Sequence, residues 1–567
     1  MKQTVKIILF VVMYFVAFSI VHGQAENVPA YHPVYPFLKR MEMKEVINRY
    51  HDAILPLSRR QVADFLSTCK LNKEILTSVE QNQLDGFSVE FQYELGGEEN
   101  IHSLIESAES SFGKTVGSFF STEKEKYLYT YTDSNLTFFV DGLLTLDTRR
   151  NTGDALGSAN ATFVQFGGRI RGTVYNKLGY YIHATNAQFW GSRNVLLRDK
   201  SLSQNYTLSK ILDTQSFDNV DGYVRYDANI VSLQVGRERI LWGNGYGDKL
   251  VASDNVRPFD FIRGDVEYKS LKYTFMHGWL LGKKSFIFID NGSVVTGQEP
   301  VVADKYLAAH RLEFSFPSLF DIGFQEALIY SNRSVDLAYL NPVTLFESVQ
   351  RSREERDNNT WSFDIQTHWW KNVEFQGTIL FDDINFPKFG TNSVQNKFAY
   401  QGGTMFVDPL GLSNVNLAVE YNRVEPFTFS HSRSRDNDYG SFGQILSHHI
   451  GPNADSWFFR IDNQLTHRLS ISARYEIVRE GENVDSAGVL IQNVGGDFLV
   501  SNSNPDQTKD FLGGNFVRSV YGQFFITYEL VNEIFLDARY QYTRRADFGK
   551  NTITVDHDFG IALRFDF

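Results

Sequence analysis

The 567-residue sequence is poor in features that mark several common protein classes. Its one cysteine, Cys69, excludes an internal disulfide. Its formal net charge is −12 and it has no basic run, which argues against nucleic-acid binding, because such binding uses Lys and Arg to displace counterions. It also lacks a Gly-x-Ser-x-Gly elbow and a His-Glu-x-x-His pair. We therefore predict neither enzyme activity nor a cofactor or metal.

The first residues predict export. Lys2 and Lys6 precede an apolar run over residues 7–21, and Val21-His22-Gly23 offers a small-residue cleavage site. This run is shorter than the ~20 residues that a membrane-spanning helix needs. We therefore predict a signal peptide at residues 1–23 rather than a retained anchor. No later stretch resembles a membrane helix, which still allows a closed barrel, because a barrel shows lipid only every second side chain.

A helical period follows the predicted signal. It extends from about Tyr35 to Gly86, with Ser58 through Gln61 forming a capping box and Gly86 placed to end the last helix. Apolar neighbours favour a packed helix position for Cys69 over a reactive thiol. We predict a small α-helical periplasmic domain or plug at residues 30–110, which occludes the barrel predicted below.

After about residue 120 the period changes to two. Trp361, Phe363 and Ile365 are separated by polar residues, and the same alternation continues in later segments. Aromatic residues, 15% of the chain, are spread through these segments, which favours strands. One face of each strand is then apolar and the other polar. A soluble sandwich gives the same alternation, so the location depends on loop lengths.

Eighteen strands can be counted, starting near residues 136, 163, 178, 219, 230, 264, 272, 308, 321, 361, 373, 398, 415, 457, 469, 514, 533 and 552. Tight turns at Asn176, Asn229, Ser270, Asn372, Thr466 and Asn532 alternate with longer loops such as 186–217, 426–456 and 479–513. Outer-membrane barrels show this asymmetry, with the short turns periplasmic. We predict an all-β transmembrane barrel of about 18 antiparallel strands over residues 120–567, surrounded by outer-membrane lipid of a Gram-negative cell.

The polar face predicts a filled lumen. Its positions mix acids with bases, among them Arg311, Glu313, Arg460, Asp462, Arg474 and Glu476. A selective pore usually shows rings of one sign, whereas mixed partners bridge the lumen. We interpret most of these groups as solvating one another. Glu326 is out of phase, because it shares the parity of Phe324 and Leu328, and we predict a β-bulge there.

Several motifs resemble the Wzi-type capsule-assembly family. They are Gly236 to Gly245, Leu250 to Asn255, Arg257 to Phe259, Lys305-Tyr306, His310 to Glu313, Glu326-Ala327, Tyr339 to Pro342, Glu420 to Phe427 and His449 to Asp455. Residues 34–66 look like the N-terminal unit of relatives whose helices precede the barrel. The resemblance covers most of the chain. It implies an eighteen-stranded barrel that is closed from below by helices and holds capsular polysaccharide at the cell surface in a lectin-like, non-enzymatic way.

Two functions stay open at this point: a surface anchor or assembly factor for extracellular polysaccharide, and a passive porin for small solutes. For the anchor, we predict a glycan site in the loop from Trp242 to Arg263. Rings stack on sugar faces while polar groups bond the hydroxyls. Trp242 and Tyr246 would supply rings, and Asn244, Asp254, Asn255 and Arg257 would supply polar groups. Equally, the glycines of this loop fold it inward as a plug, with Trp242 packed at the membrane interface.

The last strand alternates up to the terminal residue, with Phe559, Ile561, Leu563, Phe565 and Phe567 on one face. Ending on an aromatic residue resembles the assembly signal of outer-membrane barrels, which implies the barrel-assembly machinery as a partner through Phe567. A soluble edge strand is the alternative, but an unpaired apolar edge there invites aggregation.

Deletion of Asp566 and Phe567 should leave unfolded chain in the periplasm, because the last strand must pair with the first to remove both edges. Heat-modifiable migration of outer-membrane fractions measures the assembled barrel, and we expect most of it to disappear. Normal yield of heat-modifiable truncated protein would contradict this assembly role.

Overall fold

The structure is a computed structural model that describes residues 24–96, 101–103, 125–211, 213–290, 295–355, 357–431, 436–502, 504 and 506–566. The predicted signal peptide, residues 104–124 and Phe567 lie outside the described residues. Within the described part of the chain, no helix is both long and apolar enough to cross a membrane.

Eighteen antiparallel strands form a closed barrel, as the strand count predicted. The strands are β1 (Thr137–Gly153), β2 (Gly157–Val174), β3 (Leu178–Gly191), β4 (Ser216–Asp227), β5 (Val231–Glu238), β6 (Phe259–Tyr268), β7 (Leu271–Asp290), β8 (Val295–Phe316), β9 (Phe320–Ser331), β10 (Asn358–Thr367), β11 (Val373–Asp383), β12 (Lys397–Val407), β13 (Val415–Val424), β14 (Ala454–Thr466), β15 (Leu469–Glu482), β16 (Asn515–Val531), β17 (Ile534–Asp547) and β18 (Thr552–Asp566).

The barrel closes where β18 pairs with β1. The ladder extends from Asp556 opposite Gly153 to Asp566 opposite Leu143. Beyond this ladder, the short strand Tyr129–Thr132 pairs with the start of β1. Closure removes both sheet edges, so that backbone groups along the barrel ladders are satisfied within the protein.

The two rims differ in the length of their connections. On the short-turn rim, Asn176, Asn229 and Asn372 adopt left-handed φ angles of 55°, 69° and 66°, which asparagine tolerates better than most residues. The opposite, long-loop rim carries residues 192–215, 239–258, 332–357, 384–396, 425–453 and 483–514. Two of its connections, 154–156 and 548–551, are nevertheless short. Both described chain ends lie at the short-turn rim, which is the periplasmic one in such barrels.

The outer wall is an apolar belt. Trp361, Phe363 and Ile365 on β10 are 39%, 45% and 39% exposed, whereas the intervening Ser362 and Asp364 are buried in the lumen. Glu326 lies on the belt side of β9. It pairs with His310 and Trp361 in ladders without a register shift, so the predicted bulge is wrong. Its outward carboxylate is instead covered by the loop that follows β9, where the backbone N–H groups of Phe346 and Glu347 donate to it.

Helices occupy the N-terminal unit and the long loops. They are α1 (Val34–Met43), α2 (Arg59–Leu71), α3 (Ser78–Glu90), α4 (Arg193–Leu196), α5 (Lys200–Ser203), α6 (Tyr206–Lys210) and α7 (Phe346–Ser352), with 3-10 turns at Lys73–Ile75, Phe386–Lys388 and Pro409–Gly411. Short strand pairs join Ile54–Leu55 to Leu241–Trp242, Gly440–Ser441 to Gln444–Ile445, Val484–Ser486 to Val489–Gln492 and, in parallel, Ile101–Ser103 to Glu125–Tyr127.

The start of α2 follows the predicted capping box. The Ser58 side chain accepts the Gln61 backbone N–H, and the Gln61 side chain accepts that of Ser58. The predicted stop at Gly86 is wrong, since α3 continues through it. Phe87 extends the packed face, because its ring lies 5.3 Å from that of Phe37. Cys69 is fully buried on α2, and burial raises the pKa of its thiol to about 12.

The helices of the N-terminal unit, α1 to α3, lie within the short-turn end of the barrel. Arg40 of α1 bonds Glu80 at 2.6 Å, Asp408 at 2.5 Å and the Asn416 side chain at 2.8 Å. His51 lies 2.5 Å from Glu313 on the lumen side of β8. Removing either partner of such a buried pair leaves a charge in a poorly solvated place. The N-terminal unit is thus fixed to the wall by polar contacts on several sides.

Because these helices lie in the lumen, planar-bilayer recordings of the mature protein should show little current. Removal of residues 30–110 should increase the single-channel conductance several-fold, since it empties the short-turn end of the barrel. Heat-modifiable migration of the shortened protein is the control for barrel assembly. Large, stable channels in the intact protein would contradict occlusion and favour a porin.

Candidate functional site

The β5–β6 loop, residues 239–258, turns into the lumen. Its Leu241–Trp242 segment pairs with Ile54–Leu55 of the N-terminal unit. Gly243 and Gly245 have φ angles of 109° and 137°, and a Cβ on Gly245 would lie 2.7 Å from the Asp248 carbonyl oxygen. Glycine is therefore required there. The inward path, one of the two sequence interpretations of this loop, is the one in the structure.

Trp242 is a core residue of this loop. Its side chain is 1% exposed and packs with Leu250 and Ile329, and its indole N–H donates to Gln325 Oε1 at 2.5 Å. A buried indole with a satisfied N–H has no ring face for a sugar in this conformation. Trp242 lies inside the barrel rather than in an aromatic girdle.

Asn244 and Tyr246 attach the loop to the opposite wall. The Asn244 amide donates to Asp364 Oδ1 at 3.1 Å. The Tyr246 backbone N–H donates to Glu420 Oε2 at 2.6 Å, and its hydroxyl to Glu374 Oε1 at 3.0 Å. Both side chains are mostly buried, so their first role is to hold the loop in place.

Asp254 and Asn255 lie further along the loop, near the long-loop rim. Asp254 accepts hydrogen bonds from the Tyr31 hydroxyl at 2.6 Å and the Lys200 ammonium at 2.5 Å. The Asn255 amide donates to Asp248 Oδ2 at 2.9 Å and to the Ser447 carbonyl at 2.5 Å. They bind three separate segments together at this point.

Arg257 is separate from the other five predicted residues. Its guanidinium lies 5.2 Å from the ring centre of Tyr206 and 5.8 Å from that of Phe442, two residues of other long loops. The side chain is half-buried. Stacking of this kind leaves the guanidinium edge free to bond an anionic group.

A cavity of about 1,040 Å³ lies beside the loop. Asn244, Tyr246, Asp254 and Asn255 line one side of it, and Trp242 and Arg257 do not. Side chains of β14 to β18 and β1 line the other side: Phe458, Arg460, Arg474, Glu476, Tyr521, Gln523, Phe525, Arg539, Gln541, Asp558 and Arg149. The structure thus unites four of the six predicted residues around one space.

Arg474 and Phe525 are the features of this cavity that the sequence search did not select. The guanidinium of Arg474 lies 5.1 Å from the Phe525 ring centre. Among the described residues, Arg474 has no carboxylate within ion-pair distance, whereas Arg460 bonds Asp462 at 2.9 Å. The alternation of polar and apolar residues along the strand already predicted that Arg474 faces the lumen. Phe525 had a weaker signal, as an aromatic residue on an otherwise polar face.

His449 closes one end of the cavity. Its ring lies 3.0 Å from Asp248 and 3.3 Å from Glu476, and 38% of its side chain is exposed. Burial alone lowers the pKa of His449, but these two carboxylates outweigh burial and hold it well above its ordinary value. Burial, then the charge on His449, lower the pKa of the adjacent His448 to about 4. One imidazole is therefore charged and its neighbour neutral at pH 7.

Among the residues that the structure describes, two clusters contain enough ligand atoms for a metal: Asp248, His448 and His449, and Glu42, His368 and Glu374. Each already contains an ammonium group. Lys200 lies 2.7 Å from Asp248, and Lys39 lies 3.0 Å from Glu42 and 2.6 Å from Glu374. A cation in either place would meet this positive charge at close range. We assign no metal to either cluster.

A second cavity, of about 820 Å³, lies at the short-turn end between α3 and the wall formed by β14 to β18. Tyr31 lines both cavities. The helical unit thus separates a periplasmic space from the space beside the 239–258 loop. The larger cavity, on the long-loop side, is our candidate site.

The closed barrel, its apolar belt and the helices and loop that enter its lumen define the chain as an outer-membrane β-barrel. A family model described as "Capsule assembly protein Wzi" matches residues 143–553. The chain belongs to this family, as the sequence motifs indicated.

Among solved structures, a similar fold is that of Wzi from Escherichia coli, an outer membrane protein involved in group 1 capsule assembly. That match has 12% identity, covers 95% of this chain and 99% of that one, and has a TM-score of 0.53. Two Pseudomonas aeruginosa barrels also match: OprD at 12% identity (76% and 93% covered, TM-score 0.40) and OccK5 at 11% (76% and 98%, TM-score 0.42). No curated protein matches the sequence.

The charge on His449 predicts a pH dependence. A folded-state pKa above the unfolded value of about 6.5 stabilises the fold fully below pH 6.5, and this contribution is lost as pH rises through the folded pKa. His449→Gln should cost on the order of 1 kcal/mol at pH 6, because water in the cavity screens the pair. At a pH above the folded pKa the variant should equal the parent.

Thermal loss of the heat-modifiable barrel, followed from pH 6 upwards in steps, measures this difference. His467→Gln, in the periplasmic turn after β14, is the matched control. A difference between parent and His449→Gln that stays the same as the pH rises would show that the pair contributes no titrating charge.

Proposed function

We propose that this barrel retains and helps to assemble extracellular polysaccharide at the cell surface by binding it, without catalysis. Membership of the capsule-assembly family supports this proposal. The Escherichia coli relative is described as a carbohydrate-binding β-barrel, and the two proteins share a fold. The observation that carries our more specific version is the lumenal cavity beside the 239–258 loop.

The cavity has the size and chemistry for a short glycan segment. Its volume of about 1,040 Å³ is at the upper end of ordinary ligand sites. Phe458, Tyr521 and Phe525 offer ring surface, and Gln523 and Gln541 offer amides that both donate and accept. Sugars present the complementary groups, an apolar C–H face and a rim of hydroxyls.

Arg474 points to an acidic sugar. Arg474 lies against a ring and has no carboxylate partner within the described part of the chain, so its guanidinium donors are available to a ligand carboxylate. The neighbouring Arg460 is already paired with Asp462, so it contributes less. Uronic acids and pyruvylated sugars carry the carboxylate that fits this arrangement.

The predicted loop residues take different roles in this proposal. Asp254 and Asn255 bond hydroxyls at the cavity edge, while Asn244 and Tyr246 keep the loop in position. Arg257 contacts the polysaccharide where the polysaccharide leaves the cavity towards the cell surface. Trp242 serves packing rather than sugar stacking, because its indole is buried.

A passive porin remains the second function that the sequence left open. A porin requires a continuous water path through the barrel. Here the N-terminal helices and the 239–258 loop lie in that path and bond to the inner wall. The lumen also contains ion pairs, since Arg40, Arg311 and Lys39 each bond a carboxylate inside the barrel. The lumen therefore carries charges of both signs, whereas a selective pore is usually lined by charges of one sign. These contacts favour the anchor.

Arg474→Gln and Phe525→Leu should release polysaccharide to the medium. We expect the cell-associated fraction to fall at least threefold, because each change removes one contact to the glycan while it preserves the wall. The measurement is cell-associated against released polysaccharide, with the surface level of the barrel followed in parallel.

Arg237→Gln is the matched control, because this 45%-exposed arginine lies on the outer face of the wall near the same rim. Trp242→Ala should instead lower the amount of folded barrel. Unchanged retention in both cavity variants at normal barrel level would remove the cavity from the proposal. Loss of retention in Arg257→Ala alone would move the site to the loop cluster around Tyr206.

A further inference from the structure

A carboxylate on β9, that of Glu326, faces outward on the barrel wall. Glu326 lies on the same face of β9 as Ile322, which is 38% exposed on the apolar belt. Glu326 itself is 0% exposed. A bare carboxylate facing hydrocarbon is costly, so its presence at this position requires a cover.

The cover is the β9–β10 loop, which folds back along the outside of the barrel. We call residues 332–355 the flap. Glu326 accepts the backbone N–H groups of Phe346 at 2.9 Å and Glu347 at 2.8 Å, at the start of α7. It also accepts the amide of Asn359 at 2.8 Å and the indole N–H of Trp361 at 3.2 Å. The Glu326 carboxylate thus accepts two backbone N–H groups in the first turn of the flap helix.

The inner side of the flap packs tightly on the wall. Tyr339 and Phe346 are 0% exposed. The Tyr339 ring lies 5.1 Å from that of Tyr330, and the Phe346 ring stacks on His310 at 4.6 Å. Rings packed at these distances fix the flap as part of the wall.

The outer side of the flap exposes large apolar side chains. Leu337, Val343 and Leu345 are 80%, 83% and 55% exposed. The tip reaches towards the short-turn rim, since the Tyr273 hydroxyl donates to the Pro342 carbonyl, and Tyr273 is near the short-turn end of β7. Backbone at membrane depth is tolerated when the protein satisfies it, as Tyr273 does here.

The base of the flap is charged. Arg333 bonds Asp357 at 2.6 Å, and Arg353 bonds Asp336 at 2.7 Å. These pairs lie beside the long-loop end of β9. Glu326 lies five residues from the long-loop end of β9. This places it roughly 12 Å deeper in the membrane than that end, for a strand with the usual rise and tilt. The charged base therefore lies at the rim, whereas Val343 and Leu345, just before the residues that bond Glu326, lie deeper along the wall.

We propose that the flap is a lipid-binding element on the side of the barrel. Leu337, Val343 and Leu345 contact the acyl chains of membrane lipid, and the charged base lies among the head groups. The exposed tip is continuous with the apolar belt, which is already the lipid interface of the barrel. This inference concerns the outside of the wall and is independent of the glycan site.

The test uses the full-length barrel in phosphatidylcholine vesicles whose acyl chains are brominated. Leu337→Cys and Val343→Cys variants are labelled with bimane, and the buried native Cys69 does not react. Bromine should quench both labels at least twofold more than a label at Leu410→Cys, a fully exposed leucine of a periplasmic turn. Quenching equal to that of the control would overturn the proposal.

Two further measurements separate lipid from other causes. Glu326→Ala should reduce the quenching at Leu337→Cys, because the flap loses its attachment, whereas Glu354→Ala, on the exposed side of the same loop, should not. Unchanged quenching in Glu326→Ala would contradict attachment through this carboxylate. Oxidation of Val343→Cys barrels to a disulfide-linked dimer in high yield would assign the surface to a second copy and overturn the lipid assignment.

Discussion

The pairing of β18 with β1 is the constraint on which the rest of the structure depends. Hydrocarbon offers no hydrogen-bond partner, so a sheet in the membrane must leave no free edge. The ladder from Asp556 to Asp566 against β1 meets this requirement. Closure divides every strand into a lipid face and a lumen face. With eighteen strands, it also creates an interior too wide for wall side chains alone to fill.

Charged side chains solve the problem of the wide interior. Arg311 bonds Glu313 and Asp364, each at 2.8 Å, and Glu313 in turn holds His51 of the N-terminal unit. Asp364 also accepts the Asn244 amide of the inward loop. The wall, the helices and the loop therefore share partners. Buried groups of this kind are costly to leave unpaired, which fixes one arrangement of all three.

Two residues that break the alternation lie where another element or an open space adjoins the wall. Glu326 is an acid on the apolar face, and it binds the flap. Phe525 is an aromatic residue on the polar face, and it lines the cavity with Arg474. Each is compatible with its face only because a second element or an open space lies against it.

Much of the fold was determined by the sequence itself. Strand count, wall polarity, short-turn positions and the Ser58 capping box depend on a period of two or on contacts within four residues, and such local rules can be read along a chain. The family could also be read, from motifs at residues 236–263 and beyond. In the candidate site, the lumen-facing position of Arg474 could be predicted in the same way, from the alternation along its own strand.

Only the tertiary structure decided where the irregular segments go. The direction of the 239–258 loop depends on Gln325 for Trp242 and on Glu374 and Glu420 for Tyr246, partners far away in the chain that no period encodes. Likewise, Gly86 continues a helix because Phe37 packs against Phe87. Glu326 needs no bulge because the loop that follows β9 folds back to cover it. Long-range contacts outweigh local preference wherever burial needs a specific partner.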